Sequence, residues 1–363
     1  MSSELSDGLN GTEMERCFQR HLAGSGRTDI TLTQLVRLPQ GHSNDTLLAK
    51  AVSTIGGKRA EERFVIRRDI VHGISEPYDI PKEYRLLKAL AATEVAAPPV
   101  YWSEDAPSSL DVAYYVMGFC DGDLADELYG SGDYSGVIGR ASPAERRAIH
   151  TAYFEELAKI HRVDWRALGL GEMSQPMGFD FQGVPIDGTT DAARRALVEW
   201  EGRTRRELLR PAPLLEEPLA WLRENLPLCP RNVLLHGDCK LSNYMFKDGS
   251  VSGVLDWEWS RIGDPMNDLA WCLPAPGADL PDGFLDFDGA VAVYERASGN
   301  QVDPARLDFY RGITGLKVCA FTAAMGRLIE LGQSHDIRYG CLNSAFGYAS
   351  INALSAEYAP RLG

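Results

Sequence analysis

The sequence predicts an α+β protein built as a small β-rich N-terminal part and a larger, mainly helical C-terminal part. Three observations carry that prediction. The chain has 363 residues, more than one ordinary compact domain requires. Strand-like runs dominate up to about residue 117, and helical periodicity dominates from 143 onward. Between them the texture changes where Gly118 and Gly122 bracket Phe119.

The elements follow in order. Residues 12–23 read as a short helix before a Gly-rich break. Strands are expected at 32–38, 46–54 and 63–68, with a turn at 40–45 and a Gly56-Gly57 hairpin. Pro81 opens a helix to about Ala92, capped by Asp79. Two more strands are expected at 100–102 and 112–117. Helices are expected over 143–163, over 190–225 and from Pro265 to the end. A β segment at 244–256 interrupts them, turning at Asp248-Gly249. No internal repeat stands out.

Apolar residues make up 44% of the chain and charged residues 24%, enough for a substantial core. The net charge of −14 and the lack of a Lys/Arg tract argue against binding to nucleic acid or to an anionic membrane. The seven cysteines show no paired spacing, as expected of reduced thiols in a cytoplasmic protein. The first thirty residues carry no signal-peptide core. No apolar run reaches the ~18 residues that suggest a membrane span.

Polar groups crowd into one run, Leu234-Leu235-His236-Gly237-Asp238-Cys239-Lys240-Leu241-Ser242-Asn243. Val254-Leu255-Asp256-Trp257-Glu258 follows after the Asp248-Gly249 turn. A hairpin there returns Asp256 to the end where Asn243 sits. Phosphoryl transfer asks little covalent chemistry of a protein. It asks for an oriented acceptor hydroxyl and neutralised phosphate charge. Asp238 suits the hydroxyl proton. Asn243 and Asp256 offer the hard oxygens that Mg2+ prefers, and Glu258 extends that set. Lys240 is placed to touch the transferred phosphate. His236 is expected to organise the loop. Each residue alone is more often an ordinary turn or cap residue; the joint spacing carries the reading.

His236-Gly237-Asp238, Asn243 and Asp256-Trp257-Glu258 resemble the catalytic loop and metal motif of aminoglycoside phosphotransferase-like kinases, which share the protein-kinase fold. The closer resemblance is to the branch that includes kinase domains fused to acyl-CoA dehydrogenases. Gly41-His42-Ser43-Asn44, Phe64-Val65-Ile66-Arg67-Arg68, Tyr115-Val116-Met117-Gly118, Leu157-Ala158-Lys159-Ile160-His161, Gly263-Asp264-Pro265 and Asp268-Leu269-Ala270-Trp271 support it. The resemblance implies a protein-kinase-like two-lobed fold, with an N-lobe over 1–118 and a C-lobe over 119–363. It implies an ATP- and Mg2+-dependent enzyme that phosphorylates a hydroxyl of a small molecule.

In that fold the loop at 40–46 covers the ATP phosphates through Gly41, Ser43 and Asn44. No GxxxxGK[ST] run marks a P-loop instead. Arg67 stands where such kinases commonly carry Lys. Strand alternation puts Val65 and Arg67 on one face, so Val65 packs on adenine while Arg67 reaches the phosphates, with Glu83 as its partner. Arg68 points the other way unless a bulge shifts the register. Met117 to Phe119 form the hinge that meets the adenine edge. Asp268 is expected to hold the catalytic loop through backbone hydrogen bonds, and Asp264 to cap a helix.

The acceptor is less legible. Arg194, Arg195, Arg203, Arg205, Arg206 and Arg210 fall in one short stretch with Glu199, Glu201 and Glu207 interleaved. The plain reading is a solvated helix with i,i+4 ion pairs. The sharper one makes Arg203, Arg205 and Arg206 an anion site for the phosphates of a CoA thioester. Two acceptors compete: a hydroxyacyl-CoA or related metabolite, slightly preferred, and an aminoglycoside or similar natural product. A polyamine would want carboxylates, for which Asp279, Asp282, Asp286 and Asp288 are candidates. A third reading, of another class, is a nucleotide-binding pseudokinase. Neither GTP as donor nor an oligomeric state is decided.

Overall fold

A computed structural model describes residues 4–5, 11–38, 45–70, 73–74, 78–125, 135–174 and 191–362. It divides into two compact units, Met1–Asp121 and Gly122–Gly363.

Among the described residues, the first unit is a six-stranded sheet with two α-helices. Its elements are β1 (Glu4–Leu5), α1 (Gly11–Leu22), β2 (Arg27–Arg37), β3 (Asp45–Ile55), β4 (Lys58–Arg68), α2 (Ile80–Leu90), β5 (Val100–Glu104) and β6 (Tyr114–Gly118). The strand order is β1-β2-β3-β4-β6-β5, antiparallel except for the β1–β2 pair. Gly56 and Gly57 both take positive φ and close the β3–β4 hairpin. β4 is central, and its two faces are buried differently. Phe64 and Ile66 join Met14, Phe18 and Leu22 of α1 in one apolar cluster. Phe18 meets Phe64 and Trp102 edge-on at 5.1 and 5.0 Å. Val65 and Arg67, on the alternate face, are buried outside that cluster. The α2 cap is the expected one: Asp79 accepts from the Lys82 N–H at 2.9 Å, with Pro81 in the first turn.

The second unit is mainly helical. It comprises β7 (Asp123–Leu124), α3 (Gly136–Arg140), α4 (Pro143–Arg162), α5 (Asp191–Glu207), α6 (Glu216–Glu224), β8 (Val233–Leu235), β9 (Tyr244–Lys247), β10 (Ser250–Val254), β11 (Arg261–Gly263), α7 (Met266–Cys272), α8 (Phe287–Ser298), α9 (Pro304–Glu330) and α10 (Ile337–Tyr358). The helix expected over 190–225 is two helices, because Pro211 and Pro213 interrupt it. α4 begins with a full capping box, Ser142 and Glu145 bonding reciprocally. α9 is long and apolar enough to cross a bilayer by composition. It is nonetheless packed against α5, α7 and α10, and 61% of its apolar window is buried.

Two small sheets position the polar run. β9 and β10 form the expected hairpin, with Asp248 at φ 51° and Gly249 at φ 76°. β8 pairs antiparallel with β11, Leu235 opposite Arg261. These three-residue strands are too short for a period-two pattern to reveal. A Cβ on Gly249 would meet nothing within 4 Å, so that turn tests backbone conformation alone. Gly249→Val is expected to cost about 1–2 kcal/mol and about 2–4 °C in Tm. Gly249→Asn should cost less, since Asn tolerates the left-handed region. Calorimetry of the two variants measures the difference.

Candidate active site

The polar run forms a loop leaving β8, and Asp268 of α7 holds it. One oxygen of Asp268 accepts the His236 backbone N–H at 2.7 Å, and the other accepts that of Gly237 at 2.9 Å. His161 of α4 sits against the same carboxylate at 3.2 Å and is itself bonded to Tyr294 of α8 at 2.7 Å. Burial alone would raise the Asp268 pKa. His161, and then His236, outweigh it, so the carboxyl lies below its ordinary range. Gly237 takes φ 83°, and a Cβ there would lie 2.1 Å from the Trp259 carbonyl oxygen. Only glycine fits that turn.

His236 is fully buried. Its Nε2 lies 2.8 Å from the Leu255 carbonyl oxygen, and its Nδ1 accepts the Asp238 backbone N–H at 3.2 Å. These partners require the neutral ring protonated on Nε2. Burial also pushes its pKa down, against the pull of Asp268 and Asp238. His236 thereby ties the start of the loop to the end of β10, the organising position expected of it.

Asp238 is surrounded by donors and cations. Nδ2 of Asn243 donates to its backbone oxygen at 2.7 Å and to Oδ2 at 2.9 Å. Nζ of Lys240 lies 3.1 Å from Oδ2. Nζ of Lys317, on α9, lies 3.8 Å from Oδ1. Burial works to raise the Asp238 pKa, but Lys240 and Lys317 hold the carboxyl well below its ordinary range. The same pairing raises the pKa of Lys240, with Asp238 the first cause. Its side chain is half exposed. Sequence reasoning misses Lys317: nothing in its own helix distinguishes it, and it lies 80 residues from the Gly237 that it bonds.

The hairpin brings Asn243 and Asp256 to one end, as its turn implies. The Leu255 N–H donates to the Asn243 carbonyl at 2.8 Å, and Val254 pairs with Tyr244. With its Nδ2 spent on Asp238, Asn243 has an amide oxygen that takes no donor among the described residues. Asp256 takes the left-handed conformation at φ 60°, ψ 60°. Asp256 and Glu258 are both partly exposed and both act electrostatically on Lys240. No three His, Cys, Asp or Glu side chains gather into a metal cage among the described residues. Mg2+ does not ask for one: it takes one or two protein oxygens and completes its shell from water and phosphate. The hard-oxygen pair fits that requirement.

In the first unit, Arg67 Nε and Glu83 Oε1 lie 3.7 Å apart, both buried, so the expected pair is present. Arg68 turns away and bonds Asp45 Oδ2 at 2.7 Å. Val65 pairs with Met117 across β4 and β6, so the two share one sheet position. The Phe119 N–H donates to the Arg63 carbonyl at 3.2 Å, and its ring lies under the Arg63 guanidinium at 3.9 Å. The Gly118 N–H donates to the Pro99 carbonyl at 2.7 Å. Those two hinge donors are therefore already spent inside the unit. Gly41, Ser43 and Asn44 lie outside the described residues; the flanks of their loop are joined by Leu38 N–H to Thr46 carbonyl at 2.9 Å.

The arginines of α5 do not gather into one anion site. Arg203 is buried, bonded to Glu199 at 3.2 Å and stacked 4.6 Å from the Trp259 ring centroid. Arg205 is bidentate to Glu216 at 2.9 and 3.0 Å and also bonds Glu201. Arg206 bonds Glu207 at 2.8 Å. Helical spacing explains part of this: 205 lies away from 203, and although 203 and 206 are one turn apart, each arginine finds a carboxylate of its own. The ion-paired reading describes them, and the expected CoA-phosphate patch is not formed. Asp286, in the acidic stretch after 278, caps α8 through the Gly289 N–H.

Removing Asp268 orphans two buried backbone donors. Asp268→Ala is expected to cost ~3–5 kcal/mol, read from denaturant unfolding. Because the folded-state pKa of Asp268 is depressed, its stabilisation is complete above the unfolded value of about 3.9. It is lost as pH falls through the lower folded value. The stability gap between wild type and Asp268→Ala should therefore stay constant from about pH 6 to 8 and shrink in acid below about pH 4.

Comparison with known proteins agrees with this geometry. The chain is 31% identical over 245 residues to acyl-CoA dehydrogenase family member 10 of Mus musculus, covering 66% of this chain and 20% of that protein. It is 28% identical over 346 residues to family member 11 of Pongo abelii, covering 90% and 40%. The chain thus spans a fifth to two fifths of these relatives. A Ralstonia eutropha structure provisionally named an aminoglycoside phosphotransferase superposes with a TM-score of 0.71 at 23% identity, covering 97% of this chain and 98% of its own. A thermostable aminoglycoside phosphotransferase mutant, in ternary complex with ADP and hygromycin B, gives 0.53 at 16% identity, covering 96% and 99%. These likenesses establish the kinase-like fold. The phosphotransferase enzyme family model matches residues 34–310. On that match the chain belongs to the phosphotransferase enzyme family and is a phosphotransferase.

Proposed function

We propose that the protein transfers the γ-phosphoryl group of Mg·ATP to a hydroxyl of a small molecule, with Asp238 receiving the hydroxyl proton. One observation carries this reading: a single buried carboxylate is bonded to Asn243, faced by two ammonium groups, and next to an end of a hairpin that presents hard oxygens. A carboxylate held ionised and fixed can orient a hydroxyl without rearrangement during transfer. Lys240, half exposed beside it, is placed to meet a transferred phosphate. Asn243 and Asp256, with Glu258 nearby, would hold Mg2+, which neutralises phosphate charge when bound. In the first unit, Arg67 is assigned to the phosphates, oriented by Glu83, while Arg68 is occupied by Asp45. Val65 and Met117 are assigned to the adenine. ATP as donor draws support from the ADP and AMP-PNP complexes of similarly folded phosphotransferases.

For the acceptor, the names of the curated relatives favour a hydroxyacyl-CoA or related metabolite. The names of the similarly folded structures favour an aminoglycoside or macrolide. The α5 arginines do not bear on the choice. An acceptor screen containing hydroxyacyl-CoAs, aminoglycosides and macrolides, read by ADP release and by mass spectrometry of the acceptor, decides it. Binding of Mg·ATP with no turnover on any acceptor would favour a pseudokinase instead.

Two variants test the residue roles. Asp238→Asn should lower turnover ~10²–10⁴-fold with ATP affinity by calorimetry unchanged; wild-type turnover would remove Asp238 from the base role. Asp256→Ala should abolish the Mg2+ dependence of nucleotide binding, and an unchanged dependence would show the ligand assignment to be wrong.

A further inference from the structure

Lys317 is a buried cation outside the motif that defines the site. Its side chain is 5% exposed, and its Nζ sits among four aromatic rings. The ring centroids of Trp271, Phe321, Trp200 and Trp259 lie 4.0, 5.5, 5.7 and 5.9 Å away. Taking an ammonium out of water is costly, and a Met of similar length would fill such a box without that cost. Attraction to the ring faces offsets part of the penalty. The polar contacts all lead to the catalytic loop: Nζ donates to the Gly237 carbonyl at 2.5 Å and stands 3.8 Å from Asp238 Oδ1.

The Gly237 carbonyl belongs to the peptide unit that joins Gly237 to Asp238. The N–H of that unit donates to His236 Nδ1. Lys317 and His236 therefore grip the two ends of one peptide plane, the plane from which the Asp238 side chain departs. Asn243 and Lys240 hold Oδ2, and among the described residues Lys317 is the cation that faces Oδ1. We infer that Lys317 is a positioning residue: by fixing the Gly237–Asp238 peptide and facing Oδ1, it sets the direction in which the Asp238 carboxylate meets an acceptor hydroxyl. This rests on Asp238 being the base.

The test compares Lys317→Met with wild type and Asp238→Asn, using Mg·ATP with the acceptor returned by the screen, or water if none is returned. Lys317→Met keeps the volume and removes a desolvated charge, but it leaves the Gly237 carbonyl without that donor and Asp238 without that cation, so Tm is expected to fall. The same change should lower kcat at least about tenfold with KM for ATP within about twofold. Wild-type kcat in Lys317→Met, or a fall in kcat matched by an equal rise in KM for ATP, would overturn the inference. If Lys317→Met does not fold, Lys317→Ala replaces it with ethylammonium added to fill the vacated box. Turnover restored by the amine supports the role, and turnover that the amine leaves low overturns it. An active Asp238→Asn would sink the base assignment, whereas an inactive one beside a fully active Lys317→Met would sink Lys317 alone.

Discussion

The candidate site depends on the contact between the Asp268 carboxylate and two successive backbone N–H groups, those of His236 and Gly237. Both N–H groups find their acceptor outside the loop, and here the turn is buried. Asp268 supplies both acceptors from a separate helix, and His161 with Tyr294 fixes Asp268 in turn. With the turn fixed, His236 faces Leu255 and Asp238 at once, and the end of the β9–β10 hairpin is brought to the loop. Charge placement follows from that geometry. The carboxylate that would do chemistry is held ionised by cations, while the histidine beside it is held neutral by burial.

Polar groups in this unit divide into those that build and those that face a reactant. Asp268, Asp264 and His161 are buried with all their partners inside the protein. Asp264 accepts from Met266 and pairs with Arg306, so it serves α7 and α9 rather than chemistry. Asn243 and Lys240 combine both roles, each touching Asp238 while keeping an oxygen or an ammonium at a less enclosed edge. Lys317 belongs to the enclosed group by exposure and to the reactive one by contact, which is why its charge calls for an explanation beyond packing.

Much of this is legible in the sequence where local rules govern. The Asp248-Gly249 turn and the spacing of Asn243 and Asp256 imply the hairpin by themselves, because the turn type and the strand period determine which residues return together. The Asp79–Pro81 helix start and the alternation that sets Val65 and Arg67 apart from Ile66 follow from equally local physics. Partner choice at long range is not legible. The α5 arginines look like one basic patch because a sequence shows proximity along the chain, while a helix sends 203, 205 and 206 to separate carboxylates. Lys317 carries no local signal at all, since its significance lies in four aromatic rings and a carbonyl contributed by distant segments. The β8–β11 pair stays hidden because three residues are too few for alternation to show.

In the proposed reaction Asp238 directs phosphoryl transfer from Mg·ATP to a hydroxyl. The most direct measurement follows the phosphoryl group itself: ATP carrying 18O in its γ-phosphoryl is incubated with the protein and the acceptor panel, and the acceptors are weighed by mass spectrometry. The predicted result is one acceptor class gaining a phosphoryl group with the full isotope label, and no such product with Asp238→Asn. Labelled product formed equally by that variant, or label found only in released inorganic phosphate across the whole panel, would contradict it.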